Sequence, residues 1–297
     1  MILVNPIRKQ FDSGSVFPFS FVYKGTKSTQ SELPEHIHDW YELVYVYRGT
    51  GTLFIDQTIY DMQQGDLFVI PGNTIHRALP DKDDPVTSTA VFFSPVLVQQ
   101  ASLGDSFSYL HCFEQRKKRK NYKFELTRQQ RQSLESIMER IHEEIEAASL
   151  GYRQAIVLQL QTILLLLNRE SGPNTGQRAV DSAAGPNWMK EILLYIDDHL
   201  LDEVRLSPVS RKASVTPAHF SRVFKQMIGM NLTEYVMTKR IIKAKELLNV
   251  TDHNISLIAE MCGFDTLPHF HRMFKRVLGL TPAAYRKSVK GFRESGD

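Results

Sequence analysis

At 297 residues, with 42% apolar and 23% charged side chains, the chain has an ordinary globular composition and a length that favours two domains. Apolar runs such as Ile163–Leu167 are far too short to span a bilayer, and the first residues lack the charged start and apolar core of a signal peptide. Only Cys112 and Cys262 carry thiols, with no partner at metal-ligand spacing, so the expected setting is a reducing cytoplasm with no membrane contact.

The net charge of +3 is unevenly spread. From Trp188 onward there are 17 Lys and Arg against 12 Asp and Glu, a surplus of five, while the preceding residues carry a deficit of two. A basic C-terminal part on a slightly acidic N-terminal part suits phosphate contact by one half only.

From about Phe19 to Pro95 the pattern is β. Phe19–Lys24, Tyr41–Tyr47, Gly51–Ile55, Asp66–Ile70 and Thr87–Phe93 are short runs rich in Val, Ile, Phe and Tyr, separated by Gly, Pro, Asp or Asn. Short strands so spaced predict an antiparallel sandwich or barrel. Within them stand His36, His38 and Glu42, then Gly49, Gly65, Pro71, Gly72 and His76. Residues 36, 38 and 42 share parity, so a single strand would turn all three to one face. Three imidazoles and a carboxylate are a donor set for Fe, Mn, Ni or Zn. The spacing resembles the two motifs of the cupin superfamily, although Pro71 and Gly72 are adjacent where metal-binding cupins have a residue between them.

Helical periodicity then takes over. Thr127–Ala148 and Tyr152–Arg169 are predicted helices, with Leu150 and Gly151 as the stop between them. The basic run Arg116–Lys120 reads as a solvated loop. Residues 171–187, rich in Gly, Pro, Ser, Asn and Ala without apolar periodicity, read as a linker.

The last hundred residues contain a repeat. His219-Phe220-Ser221-Arg222-Val223-Phe224-Lys225, with Gly229 and Tyr235, returns fifty positions later as His269-Phe270-His271-Arg272-Met273-Phe274-Lys275, with Gly279 and Tyr285. Phe at i and i+4 beside outward Arg and Lys describes a helix with a buried stripe and a cationic face. In each copy a short predicted helix (Leu206–Ser214, then Ile255–Cys262) leads through a turn to a Thr that can cap the repeated helix, Thr216 or Thr266. That order is a helix-turn-helix, whose second helix enters the major groove. Between the copies Leu232–Asn249 predicts a rod about 27 Å long, able to set two recognition helices near one DNA turn apart. Arg222 and Arg272 are the expected base readers, because guanidinium pairs bidentately with guanine. Lys225, Lys275 and Arg276 are expected on phosphates, and Ala218, Ser221, Leu267 and His271 on the same DNA-facing surface.

Together with Arg240-Ile241, Ala244, Leu247-Leu248, Ile258-Ala259, Gly263-Phe264 and Thr281-Pro282, the repeat resembles the DNA-binding domain of the AraC/XylS family of bacterial transcription regulators. Ser210 and Arg205 depart from that family's usual Ala and its Ser or Thr cap. The resemblance implies a multidomain α+β chain. Residues 1–170 would form a cupin-like effector-binding barrel with a helical dimerisation segment at about 127–170, residues 171–187 a linker, and residues 188–290 an all-α domain of two helix-turn-helix motifs joined by a long helix.

It further implies a ligand-responsive regulator that is not an enzyme. Its partners would be double-stranded promoter DNA, a small effector such as a sugar, a second copy of the chain, and RNA polymerase. Carbohydrate-utilisation genes are the expected target. Effector contacts are expected from His36, His38, Trp40, Glu42 and His76, helped by Tyr41, Tyr45 and Tyr47, whose aromatic faces suit a sugar; core packing is the equal alternative for these aromatics, since Tyr at alternate strand positions usually packs in a core. No cofactor is expected. A divalent metal at His36, His38, Glu42 and His76 is the minority expectation, and with it a metal-dependent cupin enzyme carrying a DNA-tethering tail. A third alternative is a regulator whose barrel only dimerises.

Overall fold

The computed structural model describes residues 7–8, 16–27, 36–99, 107–170 and 186–287. Most of the linker expected at 171–187 lies outside the described residues, as do the side chains of His36 and Lys27. Contacts divide the chain into two compact units, one within residues 9–184 and the other made of residues 185–297 together with Ile7–Arg8.

The first unit carries two antiparallel sheets. Strand β1 is Ile7–Arg8; one sheet of the first unit runs β3 (His36–Ile37), β8 (His76–Pro80), β5 (Gly51–Ile55) and β6 (Thr58–Met62). The other runs β10 (Lys123–Phe124), β7 (Leu67–Ile70), β4 (Tyr41–Arg48), β9 (Val86–Phe93) and β2 (Phe19–Lys27). Strand parity sorts the side chains of β4. Val44 and Val46 point between the sheets, where they meet Leu53, Tyr60, Phe68 and Ile70. Leu43 and Tyr45 point the other way, onto a second core shared with helices. With apolar partners on both faces the strand reads as an unbroken apolar run. Gly49, which ends β4, has φ +84°, and a Cβ there would sit 2.2 Å from the Pro85 carbonyl oxygen. Only glycine makes this turn.

Three helices cover the outer face of the second sheet: α1 (His111–Arg119), α2 (Arg128–Ala147) and α3 (Tyr152–Glu170). A capping box starts α2: Thr127 Oγ1 accepts from the Gln130 N–H, and Gln130 Oε1 accepts from the Thr127 N–H. The basic run expected as a loop is instead the second half of α1. Cys112 and Phe113 are buried beneath it, and the Arg116 guanidinium lies 3.8 Å from the Phe124 ring centroid while donating to the Lys123 carbonyl. A charged run becomes helical when two buried side chains at its start and one stacked guanidinium anchor it.

The second unit is helical: α4 (Asn187–Asp198), α5 (Leu206–Lys212), α6 (Pro217–Ile228), α7 (Leu232–Val250), α8 (Ile255–Met261) and α9 (Leu267–Leu278). Each repeated Tyr closes its own helix-turn-helix core. Tyr235 meets Phe224 with ring centroids 5.6 Å apart, and Tyr285 meets Phe274 at 5.9 Å. Asn231 and Glu234 form a capping box at the start of α7. The two turns differ. The recognition helices are fifty residues apart, but α5 and α8 are forty-nine apart, so the second turn is one residue longer. The left-handed position falls on Ser214 (φ +56°) in the first turn and on Gly263 (φ +74°) in the second.

Candidate functional site

Two places in the molecule bring chemistry-bearing residues together. In the barrel, His38 follows β3, Glu42 lies on β4 and His76 opens β8, and all three are buried. Glu42 Oε2 stands 3.1 Å from His38 Nε2 and 3.0 Å from His76 Nε2. The other ring nitrogens are also engaged: His38 Nδ1 with the Trp40 carbonyl at 2.8 Å and His76 Nδ1 with the Thr74 carbonyl at 2.9 Å. A carbonyl only accepts, so each Nδ1 carries the proton. Burial pushes the Glu42 carboxyl up, but His76 and His38 outweigh this and hold it well below the usual carboxylate range.

Of the expected effector residues, His38, Glu42 and His76 thus converge. The His36 backbone pairs in register with His76. Trp40 is buried against Ala90 and Phe92, one ring away from His38. Tyr41, Tyr45 and Tyr47 face the helices rather than the space between the sheets. Tyr41 packs edge-on to Phe113, and Tyr45 donates to Glu135 on α2.

Beside Glu42 and His76 lies a cavity in which seven of ten lining residues are apolar, among them Val44, Leu53, Met62 and Ile70. It measures about 410 Å³ with the open solvent at its edge counted. The donor set suits a divalent first-row ion, since two imidazoles and a carboxylate converge. Each imidazole also makes the backbone contact that orients metal-ligating histidines. His38, Glu42 and His76 are the residues that would hold such an ion.

The second place is the outer face of the repeat. Phe220, Phe224 and Ile228 on α6, and Phe270, Phe274 and Val277 on α9, are buried. Val223 and Met273, expected in the same stripes, are half-buried at their edges. The opposite faces are open. Ala218, Ser221, Arg222 and Lys225 are exposed on α6, as are Leu267, Arg272, Lys275 and Arg276 on α9, whereas His271 is half-buried. Arg222 Nη2 lies 3.4 Å from His219 Nδ1, one turn earlier. Thr216 caps α6 by accepting from the His219 N–H, as expected. Thr266 occupies the same place on α9 but its side chain makes no capping bond.

Comparison with known proteins matches both places. A model described as "AraC-like ligand binding domain" fits residues 19–164, and one described as "Helix-turn-helix domain" fits residues 209–288. The chain belongs to the AraC family of transcription regulators. The HTH-type transcriptional activator RhaS of Salmonella arizonae is 28% identical over 267 residues, which cover 87% of this chain and 89% of that protein. Among solved structures, the C-terminal domain of the two-component response regulator yesN from Fusobacterium nucleatum is 32% identical (TM-score 0.33) and covers 34% of this chain and 99% of its own. The DNA-binding domain of AdpA, solved with a target DNA, is 27% identical (TM-score 0.34) and covers 35% of this chain and 94% of its own.

One residue of the AraC-type DNA-binding half is assigned no structural role by sequence reasoning. Arg240, on α7, is 7% exposed, and its guanidinium donates to three carbonyls: Leu200 at 2.8 Å, Asp202 at 2.8 Å and Gly263 at 2.5 Å. It ties the segment after α4 to the turn of the second helix-turn-helix. A Cβ on Gly263 would come within 3.1 Å of both the Arg240 Cζ and the Leu201 carbonyl oxygen, so the turn and the guanidinium fit each other. The available signal was position: Arg240 lies four residues before Ala244 and eight before Leu248, on the buried stripe of α7.

Proposed function

We propose that this AraC-family chain activates transcription from promoters it grips with both recognition helices, and that the barrel conditions this grip by binding a small effector. The supporting observation is the matched pair of exposed cationic faces, Arg222 with Lys225 and Arg272 with Lys275, each backed by a buried Phe stripe. The domains are 1–170 for sensing and pairing, 171–187 as linker and 188–290 for DNA. Activation follows the name of the RhaS relative, and RNA polymerase and a cytoplasmic setting follow from activation. No described helix is long and apolar enough to cross a membrane.

The test is selection of binding sites from random DNA by the full chain, followed by variants on the selected site. Arg222→Ala and Arg272→Ala should each cost about 1–3 kcal/mol on that site and relax specificity at one base position. Lys225→Ala should weaken all sequences alike and flatten the salt dependence. Equal losses on selected and random DNA for both Arg variants would remove them from base reading.

Pairing is assigned to α3. Leu158 is 62% exposed, and with Ala155, Thr162 and Leu165 it forms a seam at steps of three, four and three residues, the spacing of a helix that packs along a second helix. Leu158→Asp should weaken the dimer by at least about 2 kcal/mol in sedimentation equilibrium. An unchanged dimer would move the contact elsewhere.

The expected sugar effector would meet a cavity wall that is chiefly Val, Leu, Ile, Met, Ala and Pro, with Glu42, His76 and Ser88 as its polar groups, while Tyr41, Tyr45 and Tyr47 face the helices.

A further inference from the structure

We propose that the exposed cations at the end of α1, Lys117, Lys118 and Arg119, form a second DNA contact. Through them the barrel unit would touch the phosphates of a duplex that the recognition helices already hold. This goes beyond the reading of the helical unit as the DNA-binding half and rests on it.

The residues before Trp188 carry a net deficit of two even with the five consecutive cations of Arg116–Lys120 counted. The fold itself uses two of the five. Arg116 stacks on Phe124 and donates to the Lys123 carbonyl, and Lys120 Nζ pairs with Asp56 Oδ2 at 3.0 Å. The nearby Asp66 is taken by Lys123, at 2.7 Å. Lys117, Lys118 and Arg119 are exposed, and among the described residues no carboxylate pairs with Lys118 or Arg119. Cations in the last turn of a helix interact favourably with its dipole, but like charges three or four residues apart oppose one another. Arg116 feels this directly: burial lowers its pKa, and the charge of Arg119 lowers it further. An anion bound beside the run would relieve that repulsion.

Duplex DNA fits as the anion. The run contains no aromatic or apolar residue, so it offers neither a stacking face to bases nor an apolar surface to a protein or lipid. Phosphates follow one another at about 1.7 Å along the duplex axis, and contact with them needs no particular sequence. Cys112 and Phe113, buried at the start of α1, hold the cations on an anchored helix, so little ordering is lost on contact. Both units belong to one chain. Once the recognition helices hold a duplex the second contact is intramolecular, and even a weak one adds affinity.

The test uses the full chain and a duplex whose selected site is flanked on each side by about 20 bp, two helical turns, of arbitrary sequence. Lys118→Gln combined with Arg119→Gln should bind it about fivefold more weakly at about 100 mM salt. The slope of log affinity against log salt should become shallower by about two, one for each lost phosphate. Lys82→Gln combined with Arg140→Gln removes the same charge from exposed positions elsewhere on the barrel unit and should change neither quantity. Because Arg119→Gln also relieves Arg116, the first double variant should unfold at the wild-type temperature or above it. Placement is read by cross-linking. Both native thiols are buried, so an aryl azide attaches selectively to the Arg119→Cys variant, and light should join it to the duplex.

Wild-type affinity and slope in the first double variant, equal losses in the second, or no cross-link would overturn the contact. Unchanged DNA binding with reduced transcription in a purified system would assign the run to an acidic surface of RNA polymerase instead. A wild-type chain that binds no duplex at all would defeat the regulator reading itself.

Discussion

Replacing Arg240 with methionine should cost the DNA-binding half about 3–5 kcal/mol, although the substitution keeps most of the volume and adds no charge. The three carbonyls it serves belong to Leu200, Asp202 and Gly263, and a thioether offers them nothing. Burial already holds the guanidinium's pKa down, a sign that water has been stripped from it and that the carbonyls replace that water. Arg240→Lys should fall between the two, because an ammonium cannot span three acceptors in one plane. Urea unfolding followed by helical circular dichroism checks both. A loss below about 1 kcal/mol for Arg240→Met would mean that solvent reaches those carbonyls easily and that the residue is no staple.

Phe270→Ala should remove the second reading head and spare the first. Phe270 is fully buried between Phe264 and Phe274, at ring separations of 5.1 and 5.6 Å, and truncating such a side chain costs about 3–5 kcal/mol. That is a large part of the 5–15 kcal/mol that holds a domain of this size. Footprinting on selected DNA should then show protection shortened by one major-groove segment, at the end read by Arg272. Phe220→Ala should shorten the opposite end. Loss of the whole footprint in both variants would show that the two heads fold as one unit.

The helix-turn-helix pair was legible because its signals are local. Phe at i and i+4, a Thr before Pro217 and a Gly after Ile228 define a helix without help from the rest of the chain. The barrel site was half legible. The spacing of His38, Glu42 and His76 is visible in the sequence, but the Nδ1 contacts that fix their tautomers depend on the carbonyls of Trp40 and Thr74, which have no side-chain signature. The tyrosines of β4 were misleading for a physical reason. Alternation separates the two faces of a strand, but when both faces are buried it does not say which looks into the barrel. Helix α1 was hidden because only Cys112 and Phe113 are fully buried on it. Thr266 carries the right residue type at the right place, yet its side chain makes no bond.

The unequal turns bear on how the two heads can be exchanged. Both recognition helices are twelve residues long, and both end on a left-handed Gly whose N–H donates to the backbone carbonyl of the repeated Lys, Lys225 or Lys275, at 2.8 Å. From residue 217 or 267 to the closing Gly the two copies match in length and in how they end. Upstream of that point they differ by one residue, and Gly263 is moulded around Arg240. A chimaera that cuts within the turn inherits new base preference on an unaltered frame. One that cuts before α8 also imports a turn without its supporting guanidinium.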